Sequence, residues 1–334
     1  MMRASAALAL ACILACGTTH AQESRLQTSV ALPSTSLTFA TTYLAADLGL
    51  FDDAGLQVKV LDINGVGAPN SVISGAVDFT LTTGSTFSRA AVKGQRLLII
   101  ANMIDRPQME VVLKRSVAEQ GGFDPRKPVE ERGKLLKGKT IAVDGVFTNL
   151  HAWLQLVARK AGLDPEKDLK VTPLPAANML AAMMAGTVDG FSSSQPWTTM
   201  ATRDKSGIVL ASSFLGDAPE IVPFAYSVLA TRPEVCEKRQ PVCSAMAKAY
   251  VEAARILREE PVRATLTLAR RFPDIPQDVL NQAVETIRRS TPEVPAATVE
   301  GLQNSETFNI RSGVLKAEDT LKNFDGLFTT KYVQ

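Results

Sequence analysis

Apolar and polar positions in this chain fall into short blocks, and the blocks repeat. The run Ser29-Val30-Ala31-Leu32 is answered by Thr140-Ile141-Ala142-Val143, and Gly75-Ala76-Val77-Asp78-Phe79 by Gly186-Thr187-Val188-Asp189-Gly190, both pairs 111 positions apart. Each first run leads into a polar Ser/Thr/Gly stretch and then an apolar pattern of helical period. One helix is predicted from about Thr38 to Gly49. The other runs from Thr148 or Asn149 to Ala161, with Leu150, Trp153, Leu154 and Val157 on one face. Gly49 and Gly162 stand where a left-handed residue closes such helices. Leu56–Val60 and Leu169–Leu174 then predict strands, and the short helices Pro69–Gly75 and Asn178–Gly186 lead into the two Val-Asp pairs.

The pattern therefore reads β-α-β-α-β twice, which implies two α/β lobes, each a mainly parallel sheet covered by helices. Lobes of this kind meet in a cleft, and ligands bind beyond the carboxyl ends of their strands. Glu110–Leu113 and Tyr226–Ala230 read as strands that follow two crossings of the chain between lobes. Past Pro233 the pattern is helical over Val242–Arg258, Pro261–Arg271 and Gln277–Ser290, and these helices are expected to pack on the first lobe. Glu119–Lys134, charged and rich in Gly and Pro, reads as a solvated loop.

The N-terminus adds a destination. Arg3 is followed by an apolar run from Ala4 to Ala15 and then by Gly17, Thr18, Thr19, His20 and Ala21. A positive end, about a dozen apolar residues and a small residue at the cut make a secretory signal, and the run is shorter than the roughly 20 residues of a membrane span. Cleavage after Ala21 is expected. A lipoprotein cut before Cys16 is the competing reading, with Leu14 poorly placed for it. The expected division is a signal over residues 1–21, lobe 1 over 22–106, lobe 2 over 107–225, and a return to lobe 1 over 226–334.

Without Arg3 the chain holds 35 Lys and Arg against 34 Asp and Glu. So even a balance argues against a nucleic-acid or anionic-membrane binder, which needs a concentrated basic face. Cys236 and Cys243 are the two cysteines left after cleavage. In an oxidising compartment a disulfide is the natural reading, with two buried thiols as the alternative. Too few histidines and cysteines remain for a metal site, and no cofactor is expected. His151, the only histidine after the signal, lacks a paired nucleophile or acid, and Asp78 and Asp189 occupy equivalent places in different lobes, where structural roles are expected. There is no Gly-x-x-x-x-Gly-Lys-Ser/Thr phosphate loop.

Leu44-Ala45-Ala46-Asp47-Leu48-Gly49-Leu50-Phe51, Ala54-Gly55-Leu56-Gln57-Val58 and Ser74-Gly75-Ala76-Val77-Asp78-Phe79 resemble the nitrate-, sulfonate-, taurine- and thiamine-precursor-binding proteins of ABC importers. Lys137-Gly138-Lys139-Thr140-Ile141-Ala142-Val143 and Ala161-Gly162-Leu163-Asp164-Pro165 extend the resemblance into the second lobe. It implies a type II periplasmic-binding fold that closes over one solute and delivers it to a permease and its ATPase. It also implies a periplasmic protein, expected as a monomer, without catalytic residues. Two other readings are a pyrimidine-forming enzyme of the same fold, which would be cytosolic and carry a cysteine cluster, and a protein that presents its ligand to a receptor.

Four strand ends should face the cleft. Ser36, Leu37 and Thr38 open a helix whose free N–H groups and hydroxyls suit a polar or anionic group, although Ser36 or Thr38 is equally suited to simple capping. Gly84 and Ser85 follow the third strand, and the resemblance supports them as contacts. Asp144-Gly145-Val146-Phe147-Thr148-Asn149 is the third segment, with Phe147, Thr148 and Asn149 as its expected contacts; Phe147 departs from the family's Gly/Ser-rich turn and points to a flatter, partly apolar ligand. Gln195 and Trp197 lie in the fourth, with Trp197 either a stacking surface or part of a lobe core. Tyr226 sits past the second crossing. Arg106, at the first, is either an anchor for an anion or a surface residue of the hinge. These features favour a small organic anion, an aromatic or a sulfonate-type solute.

Overall fold

A computed structural model describes residues 25–321 and 323–333, so the signal reading and Cys16 lie outside the described residues. The first sheet contains β1 (Leu26–Leu32), β2 (Leu56–Asp62), β3 (Phe79–Thr82) and β4 (Leu98–Ile104). The second contains β5 (Glu110–Lys114), β6 (Thr140–Val143), β7 (Lys170–Pro173), β8 (Gly190–Ser193) and β9 (Gly207–Ser212). A tenth strand, β10 (Ser227–Thr231), returns to the first sheet. The strand orders are β2-β1-β3-β10-β4 and β7-β6-β8-β5-β9.

The repeat seen in the sequence is a repeat of pairing register. Val30 stands opposite Phe79 and Ile141 opposite Gly190, and Ser29 opposite Lys59 and Thr140 opposite Lys170, each pair displaced by the same 111 positions. Both sheets are mixed. β10 runs antiparallel to β3 and β4, and β5 antiparallel to β8 and β9. Each reversed strand follows a crossing from the other lobe. The chain then enters at the cleft end of the sheet and has to run back against its neighbours.

Asp78 and Asp189 tie equivalent places in the two sheets. Asp78 accepts from Thr28 Oγ1 (2.8 Å) and Arg239 Nη1 (2.9 Å), and Asp189 accepts from the Thr140 N–H (2.8 Å). Gly49 and Gly162 close their helices at φ +74° and +75°, a region that costs glycine little. The helices Gln240–Glu259 and Pro261–Arg271 cover the first lobe. Cys236 and Cys243 are joined as a disulfide at the start of this layer, with Cα atoms 5.5 Å apart.

The structure departs from the sequence reading in two places. Glu119–Lys134 is not a plain solvated loop. The segment is mostly exposed, as expected, but Glu119 and Gln120 end the helix Arg115–Gln120, Val129–Arg132 is helical, and Val129 and Gly133 are buried. At Gly133 a Cβ would come within 2.9 Å of Ala161 Cβ, so this glycine permits close packing rather than freedom. A helix not singled out in the sequence, Val299–Ser312, lies against both Gly84–Val92 of the first lobe and Asn149–Lys160 of the second.

Candidate ligand-binding site between the lobes

β1, β3, β6 and β8 all end toward a small cavity where the lobes meet. Its free space is about 70 Å³, and it opens to solvent. The first lobe contributes Pro33, Ser34, Thr38, Phe39, Thr82, Thr83, Thr86 and Tyr226, with Gly65, Val66 and Pro69 on one side. The second contributes Asp144, Thr148, Asn149, Leu150 and Ser194. Hydroxyls on a partly apolar wall suit a small ligand held by a few placed polar groups.

Of the residues expected to face the cleft, Thr38, Thr148, Asn149 and Tyr226 line the cavity. Thr148 caps the helix Asn149–Lys160 by accepting the His151 N–H, and its hydroxyl donates to Asp144 Oδ1 at 2.6 Å. Asn149 follows as the first helical residue. The residue is 7 % exposed, and among the described residues neither its Oδ1 nor its Nδ2 has a hydrogen-bond partner. Burial holds the Tyr226 phenol well above its ordinary range, with the Asp144 carboxylate adding to the effect, so it remains a donor.

The other expected contacts are engaged elsewhere. Ser36 caps Thr38, lies 2.9 Å from Ser194 Oγ and donates to the Gln195 carbonyl, so it fastens one lobe to the other. Leu37 is fully buried, and its N–H donates to the same carbonyl. Trp197 Nε1 donates to the Thr35 carbonyl at 3.0 Å, and the ring packs against the core as an interlobe strut. The Gln195 side chain is buried away from the cavity, accepting from Thr199 and facing Glu110.

Gly84 and Ser85 turn toward the C-terminal helix. A Cβ on Gly84 would meet Ala225 Cβ and Ser305 Oγ at 2.6 Å, and Ser85 donates to Asn309 Oδ1. Phe147, at φ +64°, is 64 % exposed, its N–H held by His151 Nδ1 and its carbonyl by Arg89. Arg106 is exposed at the crossing and does not line the cavity.

Two functional groups were not named as contacts from the sequence, although Asp144 opens the third of the segments expected at the cleft. Asp144 stands in the wall with its carboxyl pushed up to about 6 by burial, which outweighs the Thr148 hydroxyl bonded to it. The signal was a Thr four positions after an Asp at a strand end. Arg89 donates from Nη2 to Thr86 Oγ1 (3.0 Å) and to the Phe147 carbonyl (2.7 Å), linking the lobes beside the cavity. Its Nη1 is buried without a partner among the described residues. Burial lowers its pKa to about 10, which still leaves it charged at neutral pH. Its only trace in the sequence was its position one turn after Thr86.

A family model described as the NMT1-like family matches residues 27–269. The chain belongs to the NMT1-like family. Among curated relatives, the bicarbonate-binding protein CmpA of Synechococcus elongatus is 26 % identical over 153 residues, 44 % of this chain and 33 % of CmpA. The match thus spans about a third of that relative's length. Among solved structures, the ligand-binding component of an ABC-type import system from Staphylococcus aureus superposes with a TM-score of 0.70 at 14 % identity, covering 93 % of this chain and 99 % of the other. The alkanesulfonate-binding protein SsuA from Xanthomonas axonopodis pv. citri, bound to MOPS, gives 0.67 at 18 % identity, covering 88 % and 96 %. At these identities the structures establish a shared two-lobed fold. Among the described residues no helix is long and apolar enough to cross a membrane.

Proposed function

We propose that this NMT1-like chain is the extracytoplasmic solute-binding component of an ABC importer. It captures one small solute between its lobes and delivers it to the permease, without transforming it. The observation that carries this reading is the interlobe cavity, lined from both lobes by hydroxyls and holding the unpaired Asn149 amide. A solute there touches both lobes at once, so its binding energy favours the closed arrangement, which a permease can distinguish from the open one. The names of the related proteins, which bind bicarbonate or alkanesulfonate or serve an import system, support the same role. In the proposed site Thr38, Thr148, Asn149 and Tyr226 contact the solute, and Phe147 and Trp197 do not.

The test is a thermal-shift screen of the exported protein against organic acids, sulfonates, inorganic oxyanions, amides and nucleobases. A true ligand raises the melting temperature by mass action and is recovered unchanged after incubation. Chemical conversion of the ligand, or retention of the chain in the cytoplasm on fractionation, refutes the proposal.

A further inference from the structure

The Asn149 amide is the unexplained group of the cavity wall. A buried amide with neither oxygen nor nitrogen bonded has given up its hydration without replacement. In a native protein such a group calls for a partner, and Asn149 is one of the residues that line the cavity. One turn of chain away stands Asp144, which accepts the Thr148 hydroxyl and forms no ion pair among the described residues. The lining contains no lysine, arginine or histidine. Arg89 flanks the wall behind Thr86, bonded to that hydroxyl and to the Phe147 carbonyl. Burial still keeps the Asp144 carboxyl above the ordinary carboxylate range.

We infer that the solute is a compact nitrogen compound, an amide or amidinium, that offers an N–H donor to Asp144 and a donor–acceptor edge to the Asn149 amide. This deepens the solute-binding reading and rests on it. An oxyanion would bring a like charge to a carboxylate that is already poorly hydrated, and the nearby cation, Arg89, does not line the cavity but stands behind Thr86 with its Nη1 unpartnered among the described residues. An ionised carboxylate accepts only, whereas a primary amide both donates and accepts. A solute edge carrying both functions therefore satisfies the pair. The free space of about 70 Å³ corresponds to about two waters at roughly 30 Å³ each, which keeps the portion held there compact, while a neighbouring space of about 200 Å³ shares Pro33, Ser34 and Asp144.

The experiment compares acetamide, acetamidinium and cytosine with acetate, nitrate, bicarbonate and methanesulfonate by thermal shift and calorimetry on the exported protein. At least one compound of the first set is expected to raise the melting temperature, and none of the second at equal concentration. With the compound that binds, Asp144→Asn and Asn149→Leu should each weaken affinity at least tenfold, and Arg89→Gln should weaken it less than either. Circular dichroism establishes that each variant is folded. Stabilisation by an oxyanion that survives Asp144→Asn but is lost in Arg89→Gln overturns the inference, and so does stabilisation by neither set. The solute-binding reading falls separately, if a wide metabolite library of both charges also leaves the melting temperature unchanged.

Discussion

In the first lobe, the helix that follows the opening strand, Ala40–Asp47, leans on side chains from the far end of the sequence. Thr42 shares a 2.8 Å hydrogen bond with Tyr250, and Tyr43 packs edge-on against Phe272 with ring centroids 5.7 Å apart. In the second lobe, the matching helix Asn149–Lys160 carries its own aromatic, Trp153, fully buried in the apolar core, and lies against the C-terminal helix Val299–Ser312. One strand order is thus covered in two ways, by the helices Gln240–Glu259 and Pro261–Arg271 on the first lobe, and by an aromatic of its own with a single C-terminal helix on the second. The cavity shows a parallel division. The first lobe's Thr38 and Thr86 already have partners, while the second lobe presents Asp144 and the unpaired Asn149. The first lobe frames the site, and the second lobe holds the groups that would read the solute.

The comparison can be broken most severely at Trp153. Trp153→Ala is expected to destabilise the protein by about 3–5 kcal/mol, as large aromatic truncations in cores do. Urea unfolding measures the loss, and a value below 1 kcal/mol would mean that the second lobe does not depend on its own aromatic.

Asp144→Asn should act in the opposite direction on the free protein. Its folded pKa of about 6 lies above the roughly 3.9 of an unfolded aspartate, so the folded state holds the proton more tightly. Stability therefore falls as pH rises from about 4 to about 6 and stays lower above that window. Removing the charge should raise stability at neutral pH by up to about 3 kcal/mol, at 1.36 kcal/mol per pH unit, and should flatten the pH profile of the melting temperature. An unchanged profile would show that Asp144 is well hydrated. A group that lowers stability in the free protein is what a binding site retains for its ligand.

In the first lobe, Cys236→Ser with Cys243→Ser should cost about 2–3 kcal/mol, since the closed loop is short. Denaturant melts of the double variant and of the reduced wild type should agree. If reduction leaves the melt unchanged, the disulfide adds nothing to the helical coat. The smallest effect is expected for Tyr250→Phe, which leaves the buried Thr42 hydroxyl without its partner, at about 1–2 kcal/mol. A loss as large as that of Trp153→Ala would place more of the first lobe's stability in the Thr42–Tyr250 contact than the fold implies.

Much of the architecture was legible from the chain because it rests on local rules. The 111-residue echo appears in both strand pairing registers because alternating apolar runs and Val-Asp starts can satisfy their hydrogen bonds in only one alignment. Gly49 and Gly162 marked helix ends through their backbone freedom, and the cysteine pair marked its own bridge. The strand ends that carry the site were also legible. Which side chains of those ends face the cavity was not. Ser36 and Trp197 stand at the expected ends yet join the lobes, and Ser85 faces Asn309, 224 positions away in the chain.

The sequence by itself determined the two-lobed repeat, the place of the cleft and the segments around it, because strand and helix periods are written in neighbouring residues. The tertiary structure alone decided that Asp144 joins Asn149 in the wall, that Arg89 reaches across to Phe147, and that Phe147 and Trp197 turn elsewhere. The Arg89–Phe147 and Trp197–Thr35 contacts join groups more than fifty positions apart, and a ring or guanidinium is directed by whichever distant group satisfies it.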